Sequence, residues 1–313
     1  MDFTQTRALS RREILGALGI AAGLPLVGLR PALAATAPFG PIRALSFDGA
    51  DLVLAADTFW RSADGGTNWV AASNSDASAV TALATHPEVP GRIFAALNSG
   101  GVMRSDDAGA SWTARNTGLP TAKITAVIVA AQAADTIYVA VEGDGIWQSE
   151  DSAESWSFVM DRPYLSGAEH DALTLASVSL ATGMGGIWIY AGTEQGLIRV
   201  PDCFCRWQDV QAGDAMDALA SGATPAPQHP LPAGEAVTAL VSAFSAPDTL
   251  YTSLASGIWK STDAGVNWAN VSTFAARHIA VSPTSPDQVL VANQDMILIS
   301  QDGGTSWSPL FNA

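Results

Sequence analysis

Along most of the chain apolar and polar residues alternate over short runs, and the runs recur. The segments Ile42–Phe47, Val80–Thr85, Ile124–Val129 and Val237–Ser242 have the period of two that sends successive side chains to opposite faces of a β-strand. A second strand is predicted after a Pro, Asp or Gly turn, over Arg92–Leu97, Thr136–Val141 and Thr249–Ser253. A third follows over Gly101–Arg104, Gly145–Gln148 and Gly257–Lys260.

The third strand runs each time into one short motif. Ser62, Asp64, Gly66 and Trp69 fill the first, third, fifth and eighth places of Ser-Ala-Asp-Gly-Gly-Thr-Asn-Trp. The same places are taken by Ser105, Asp107, Gly109 and Trp112, by Ser261, Asp263, Gly265 and Trp268, and by Ser300, Asp302, Gly304 and Trp307. A fifth copy keeps Ser149, Asp151 and Trp156 but has Ala153 for the glycine, and a sixth keeps only Asp202 and Trp207. Consecutive tryptophans lie 39 to 61 residues apart, and each is expected to open a fourth strand. Four short strands per repeat of about 45 residues is the grammar of a propeller blade. The expectation is an all-β fold: one six-bladed β-propeller of four-stranded antiparallel blades over residues 40–313. The blades fall near 41–73, 79–116, 123–160, 172–210, 236–273 and 278–312. The last blade supplies its own fourth strand, so the ring is expected to close without strand exchange.

The repeated turn resembles the Asp box of the sialidase and BNR-repeat families. That resemblance implies a structural clip: Ser and Asp hold backbone N–H groups of a tight turn, Gly supplies a left-handed conformation, and Trp shields the turn. It also implies that the boxes are not catalytic. Six of the ten tryptophans are box residues, and Trp60, Trp147 and Trp259 share one third-strand position. Arg61, Arg104, Arg199 and Lys260 all precede a box by one residue, which predicts an outward strand face.

Strand parity sorts the loops. If strands A to D alternate in direction, the A–B turns and boxes share one face, and the B–C hairpins and D-to-A crossings share the other. The two long crossings, 160–172 and 211–235, make the second face the candidate functional surface. There Asp57, Asp144 and Asp295, with Gln195 and Ser256, precede third strands, and Glu142 and Glu194 lie nearby. Their convergence would make a hard-cation site such as one for Ca²⁺, or a receptor for a cationic patch, while Asp and Ser are also ordinary turn residues. His170 and His229 sit on the two crossings and, with Glu169 and Asp171, offer the best transition-metal set in the chain. No cofactor is assigned.

The resemblance also bears on catalysis. Sialidases grip substrate with three arginines near an Arg-Ile-Pro stretch, and here Pro41-Ile42-Arg43 reverses that order. Xyloglucanase-type relatives use two opposed carboxylates, which keeps a glycoside hydrolase as the alternative reading. The chain is also similar to photosystem-assembly factors built from the same repeats, although those carry a basic patch. Cys203 and Cys205 flank Phe204 in the degenerate box; a disulfide there would clip the turn, and a Cys-x-Cys redox or copper site is the rival.

Charge and the N-terminus place the molecule. The 313 residues carry a formal net charge of −15 with only 14% charged residues, which disfavours nucleic acid as a partner. Ser10-Arg11-Arg12 precedes an uncharged run from Ile14, Arg30 and small-residue cleavage sites. Residues 1–34 thus resemble a twin-arginine signal peptide, and the run is shorter than the roughly 20 residues of a spanning helix. Cleavage would remove four of the 15 basic and two of the 30 acidic residues, giving a net −17 and a periplasmic or secreted protein without a membrane span. The function expected is a non-catalytic binding or assembly module that docks another periplasmic protein.

Overall fold

A computed structural model describes residues 38–73, 75–183, 185–213 and 225–312. The signal-like residues 1–34 and residues 214–224 of the 211–235 crossing lie outside these. The described chain holds six four-stranded antiparallel sheets arranged as the blades of a propeller, and no helix.

Blade 1 is β1 (Ala44–Asp48), β2 (Asp51–Ala55), β3 (Phe59–Ser62) and β4 (Val70–Ala71). Blade 2 is β5 (Val80–Thr85), β6 (Ile93–Leu97), β7 (Val102–Ser105) and β8 (Thr113–Ala114). Blade 3 is β9 (Ile124–Ala130), β10 (Ala133–Val141), β11 (Gly145–Ser149) and β12 (Ser157–Met160). A small hairpin, β13 (Tyr164–Leu165) with β14 (Ala168–Glu169), occupies the first long crossing. Blade 4 is β15 (Thr174–Val178), β16 (Trp188–Thr193), β17 (Gly196–Pro201) and β18 (Gln208–Asp209). Blade 5 is β19 (Ala239–Ala243), β20 (Ala246–Leu254), β21 (Gly257–Ser261) and β22 (Ala269–Ser272). Blade 6 is β23 (His278–Ser282), β24 (Ser285–Ala292), β25 (Met296–Ser300) and β26 (Ser308–Asn312).

The first strands touch one another all the way round, β23 against β1 included, so they line the axis. All four strands of blade 6 come from the C-terminal segment, and the ring closes without strand exchange. The box tryptophans stand just before the fourth strands rather than within them.

The core lies between blades. Each hydrophobic cluster joins neighbours: Leu52 and Leu54 of blade 1 pack with Leu290 and Ile297 of blade 6, and Tyr138 and Ile146 of blade 3 pack with Ile189 and Trp207 of blade 4. A second strand is therefore covered on both faces, which is why β2 and β16 are buried almost throughout.

Five boxes are wired alike. In the first, Ser62 Oγ accepts the Gly66 N–H (2.8 Å) and donates to Asp64 Oδ1 (2.9 Å), which also accepts the Asn68 N–H (2.8 Å). The third box keeps this pattern without glycine: Ala153 donates to Ser149 Oγ at 2.8 Å from φ 71°. Two successive residues are left-handed in these turns, as at Ala108–Gly109, Ser152–Ala153 and Ala264–Gly265. At Gly66 a side chain is excluded for a second reason, because a Cβ would lie 2.3 Å from Leu310 Cδ2 of blade 6. In the fourth box Val200 replaces the serine, and Asp202 donates its N–H to Ile187 O (2.9 Å) while its carboxylate accepts no hydrogen bond among the described residues. Cys203 and Cys205 are disulfide-bonded there, with Cα atoms 5.4 Å apart.

The residues that precede the boxes do not form an outward face. Arg61 pairs with Asp48 (2.7 Å) and Asp51 (2.9 Å). Arg104 reaches across to Ser152 O (2.8 Å) and Glu154 (3.0 Å) of blade 3, and Lys260 to Asp287 (3.3 Å) of blade 6. Arg199 is buried 4.0 Å above the Trp188 ring. Strand parity puts these side chains on one sheet face, but in a propeller that face meets the next blade.

Candidate functional site

The inner strands of all six blades enclose a central channel with a cavity of about 760 Å³. Its lining is apolar residues with Ser46, Thr81, Thr85, Thr125, Ser177 and Thr238, together with His86, Arg277 and His278. No Asp or Glu lines it. The most acidic feature of the composition is thus missing from the one large cavity among the described residues.

The two ends differ. At the A–B end, His86 of blade 2 meets Phe244 of blade 5 edge-on, ring centroids 5.4 Å apart. Blades 2 and 5 are opposite each other in a ring of six, so this contact bridges the axis. Glu88 N–H donates to His86 Nδ1 (3.3 Å), which leaves Nε2 as the donor, 3.5 Å from Ala131 O.

At the other end the inner strands of blades 2 and 3 start with a bulge against the second strand. There Arg43 N–H donates to Ala55 O (2.8 Å), Thr238 N–H to Ser253 O (3.0 Å) and Arg277 N–H to Ala292 O (2.7 Å). These residues are structural equivalents: Arg43, Thr81, Thr125, Leu173, Thr238 and Arg277 stand at the same level in blades 1 to 6. The threonines tie blades together, Thr81 Oγ1 donating to Ile124 O (2.7 Å) and Thr125 Oγ1 to Ala172 O (2.6 Å). The two arginines sit on adjacent blades on either side of the blade 6 hairpin, where Ile42 N–H donates to Gln294 O (2.9 Å). Neither guanidinium has an ion pair or side-chain hydrogen bond among the described residues, whereas every other described Lys and Arg except Arg206 is engaged. Next to Arg277, burial pushes the His278 imidazole down to about 4, with the Arg277 charge adding to the effect, so it is neutral at pH 7.

The carboxylates singled out in the sequence lie on the rim of this end, but most are occupied. Trp60 Nε1 donates to Asp57 Oδ1 (3.0 Å), Trp147 Nε1 to Asp144 Oδ2 (2.6 Å) and Trp259 Nε1 to Ser256 Oγ (3.0 Å). The indole bond is the main cause holding the Asp57 carboxyl below its ordinary range. Glu142 pairs with Lys123 at 2.7 Å. Glu194 and Asp295 are exposed, the latter's N–H held by Asn293 Oδ1 (2.9 Å). A polar residue three before a third-strand tryptophan is thus an indole acceptor, a periodicity visible in the sequence.

The histidines part company. His170 follows the β13–β14 hairpin, which Arg162 straps through Glu169 (2.7 Å) and Asp171 (3.7 Å). Its N–H donates to Pro163 O at 2.8 Å, and its Nε2 is buried without a partner. His229 lies against the blade 5 box: its N–H donates to Asn267 Oδ1 and its carbonyl accepts from Trp268 N–H, both at 2.8 Å. The second crossing therefore reaches the box of the following blade instead of joining the first. Among the described residues no three His, Cys, Asp or Glu side chains gather as a metal would require.

Sequence reading passed over Arg43, Arg277 and the His86–Phe244 contact. Aligning the six inner strands would have exposed the first two, as arginines in a threonine column.

No protein family's sequence profile matches the chain, and no curated protein matches it in sequence. Solved structures do resemble it. The GH74 enzyme of Niastella koreensis superposes with a TM-score of 0.59 and 15% identity, over 89% of this chain and 46% of that one. The GH74 xyloglucanase of Xanthomonas campestris gives 0.57 and 15%, over 90% and 55%. YCF48 bound to a D1 peptide gives 0.54 and 16%, over 88% and 84%. The chain spans about half the length of the GH74 enzymes. At these identities the likeness is one of fold, and the chain is a β-propeller of six four-stranded blades.

Proposed function

We propose that the protein is exported by the twin-arginine route that residues 1–34 resemble, and works outside the cytoplasm as a non-catalytic binding module. Its partner docks on the B–C end of the channel and presents a carboxylate or other anionic group to Arg43 and Arg277. One observation carries this reading: a carboxylate-free channel bridged at one end has Arg277 in its lining at the other, with Arg43 at the same level on the adjacent blade, and neither guanidinium is engaged among the described residues. Guanidinium groups bind carboxylates bidentately, and an otherwise acidic surface repels anions that do not reach them. The peptide bound to one of the structural neighbours accords with a protein segment as the partner.

A glycoside hydrolase would need two free, opposed carboxylates. Asp57 and Asp144 are taken by indoles and Glu142 by Lys123; Glu194 and Asp295 are exposed on the rim, but no carboxylate lines the channel, which favours binding over hydrolysis.

The test is co-purification of the tagged full-length chain from its own exported fraction, beside an Arg43→Glu/Arg277→Glu variant. A stoichiometric partner lost with the variant supports the proposal. Turnover of a glycoside by the purified protein, unaffected by the variant, would replace it.

A further inference from the structure

The disulfide between Cys203 and Cys205 remains unexplained by the binding role. Five other boxes close their turns through a serine that the fourth box lacks, so the bond can replace that clip, but a clip alone does not call for two exposed sulfurs beside a groove. A bond spanning one residue also constrains the unfolded chain less than one that closes a long loop. Both cysteines are exposed. Between them Phe204 is held at φ 51°, a left-handed conformation unfavourable for an aromatic residue, while its ring packs 5.5 Å from Tyr138 of blade 3. The bond borders a groove of about 340 Å³ between blades 3 and 4, lined by Tyr138, Gln148, Glu150, Asp202 and Cys203 but not Cys205.

We propose that Cys203–Cys205 is a redox-active disulfide that exchanges with a peptide dithiol entering this groove. The flanking charges set the direction. Arg206, exposed and without an ion pair among the described residues, follows Cys205, and Asp202 precedes Cys203. A positive neighbour stabilises a thiolate and a negative one opposes it, so Cys205 is the better leaving group. The incoming thiolate attacks Cys203 Sγ from the groove. A mixed disulfide forms, the Cys203–Cys205 bond breaks, and its electron pair leaves on Cys205 beside Arg206. The second thiol of the dithiol, as thiolate, then attacks the substrate sulfur of the mixed disulfide and displaces Cys203. The dithiol is oxidised to a disulfide, and Cys203 and Cys205 take up two electrons and, as thiols, two protons. Glu150 and Asp202 at the groove favour a dithiol flanked by basic residues.

The test uses the purified full chain. Equilibrated with millimolar glutathione buffers, the folded protein is expected to populate both redox forms, and to react at least about fivefold faster with cysteamine than with mercaptopropionate. In single variants, Cys205 of Cys203→Ser should be alkylated at pH 7 at least about tenfold faster than Cys203 of Cys205→Ser, and Arg206→Gln should erase most of that difference. A disulfide that stays oxidised until urea unfolds the chain, or equal alkylation rates, would overturn the proposal. The wild-type equilibrium decides even if a variant misfolds.

Discussion

His86 and Phe244, 158 residues apart, meet edge-on across the axis of the ring with centroids separated by 5.4 Å. The contact joins opposite blades across one end of the channel, and Arg277 lines it at the other. Phe244 is 38% exposed and so adds little to the core. Phe244→Ala should lower stability by under about 2 kcal/mol while opening the A–B end. A cysteine introduced at Ser177, inside the channel, should then react with a bulky maleimide at least tenfold faster than in the parent. An unchanged rate would mean that the rings do not stopper the channel.

The box serines hold buried turns. Ser261 Oγ accepts the Gly265 N–H at 2.9 Å and donates to Asp263, so Ser261→Ala leaves a buried N–H without a partner. Urea unfolding should show a loss of about 1–3 kcal/mol. Ser149→Ala should behave alike, because the box without glycine has the same wiring. A loss under about 0.5 kcal/mol at both positions would contradict the clip.

Ion pairs that differ in burial should separate cleanly. The Asp48 side chain is 0% exposed and binds both Arg61 and the Gly91 N–H (2.8 Å). Asp48→Ala should destabilise by about 2–3 kcal/mol, since it takes the acceptor from the Gly91 N–H and leaves Arg61 with Asp51 alone. Lys123→Ala, which removes an exposed pair, should change stability by less than about 1 kcal/mol.

Acid should weaken the fold in two windows. The His278 imidazole is depressed from 6.5 to about 4, so the unfolded chain takes up its proton first and stability falls from pH 6.5 toward pH 4. Asp107, Asp151 and Asp302 are held at about 2 by hydrogen bonds, chiefly from Ser111, Ser155 and Ser306. Their contribution is full above the ordinary value of 3.8 and disappears as the pH falls to about 2. Urea midpoints against pH should show both declines, and His278→Gln should flatten the upper one alone.

The legible part of this molecule was the local part. The hydrogen bonds through which the box Ser and Asp side chains hold the turn span four residues or fewer, so Ser, Asp and Trp spacing exposed the repeat, the repeat exposed the blades, and the blades exposed the ring. What escaped depends on which blade faces which. The cross-blade partners of Arg104 and Lys260 and the His86–Phe244 bridge join residues that only a closed ring brings together. Glycine was overweighted for a related reason: the turn needs a left-handed residue, and Ala153 meets that need where neighbouring packing leaves room.

The central claim is that partners engage the channel's open end. A photo-crosslinking residue placed at Gln294, between the two arginines, and another at Ser111 on a box would test it in cells carrying the full-length chain. The account predicts one discrete adduct from position 294, reduced at least fivefold by Arg43→Ala/Arg277→Ala, and none from position 111. Adducts only from position 111, or an adduct at 294 indifferent to both arginines, would contradict it.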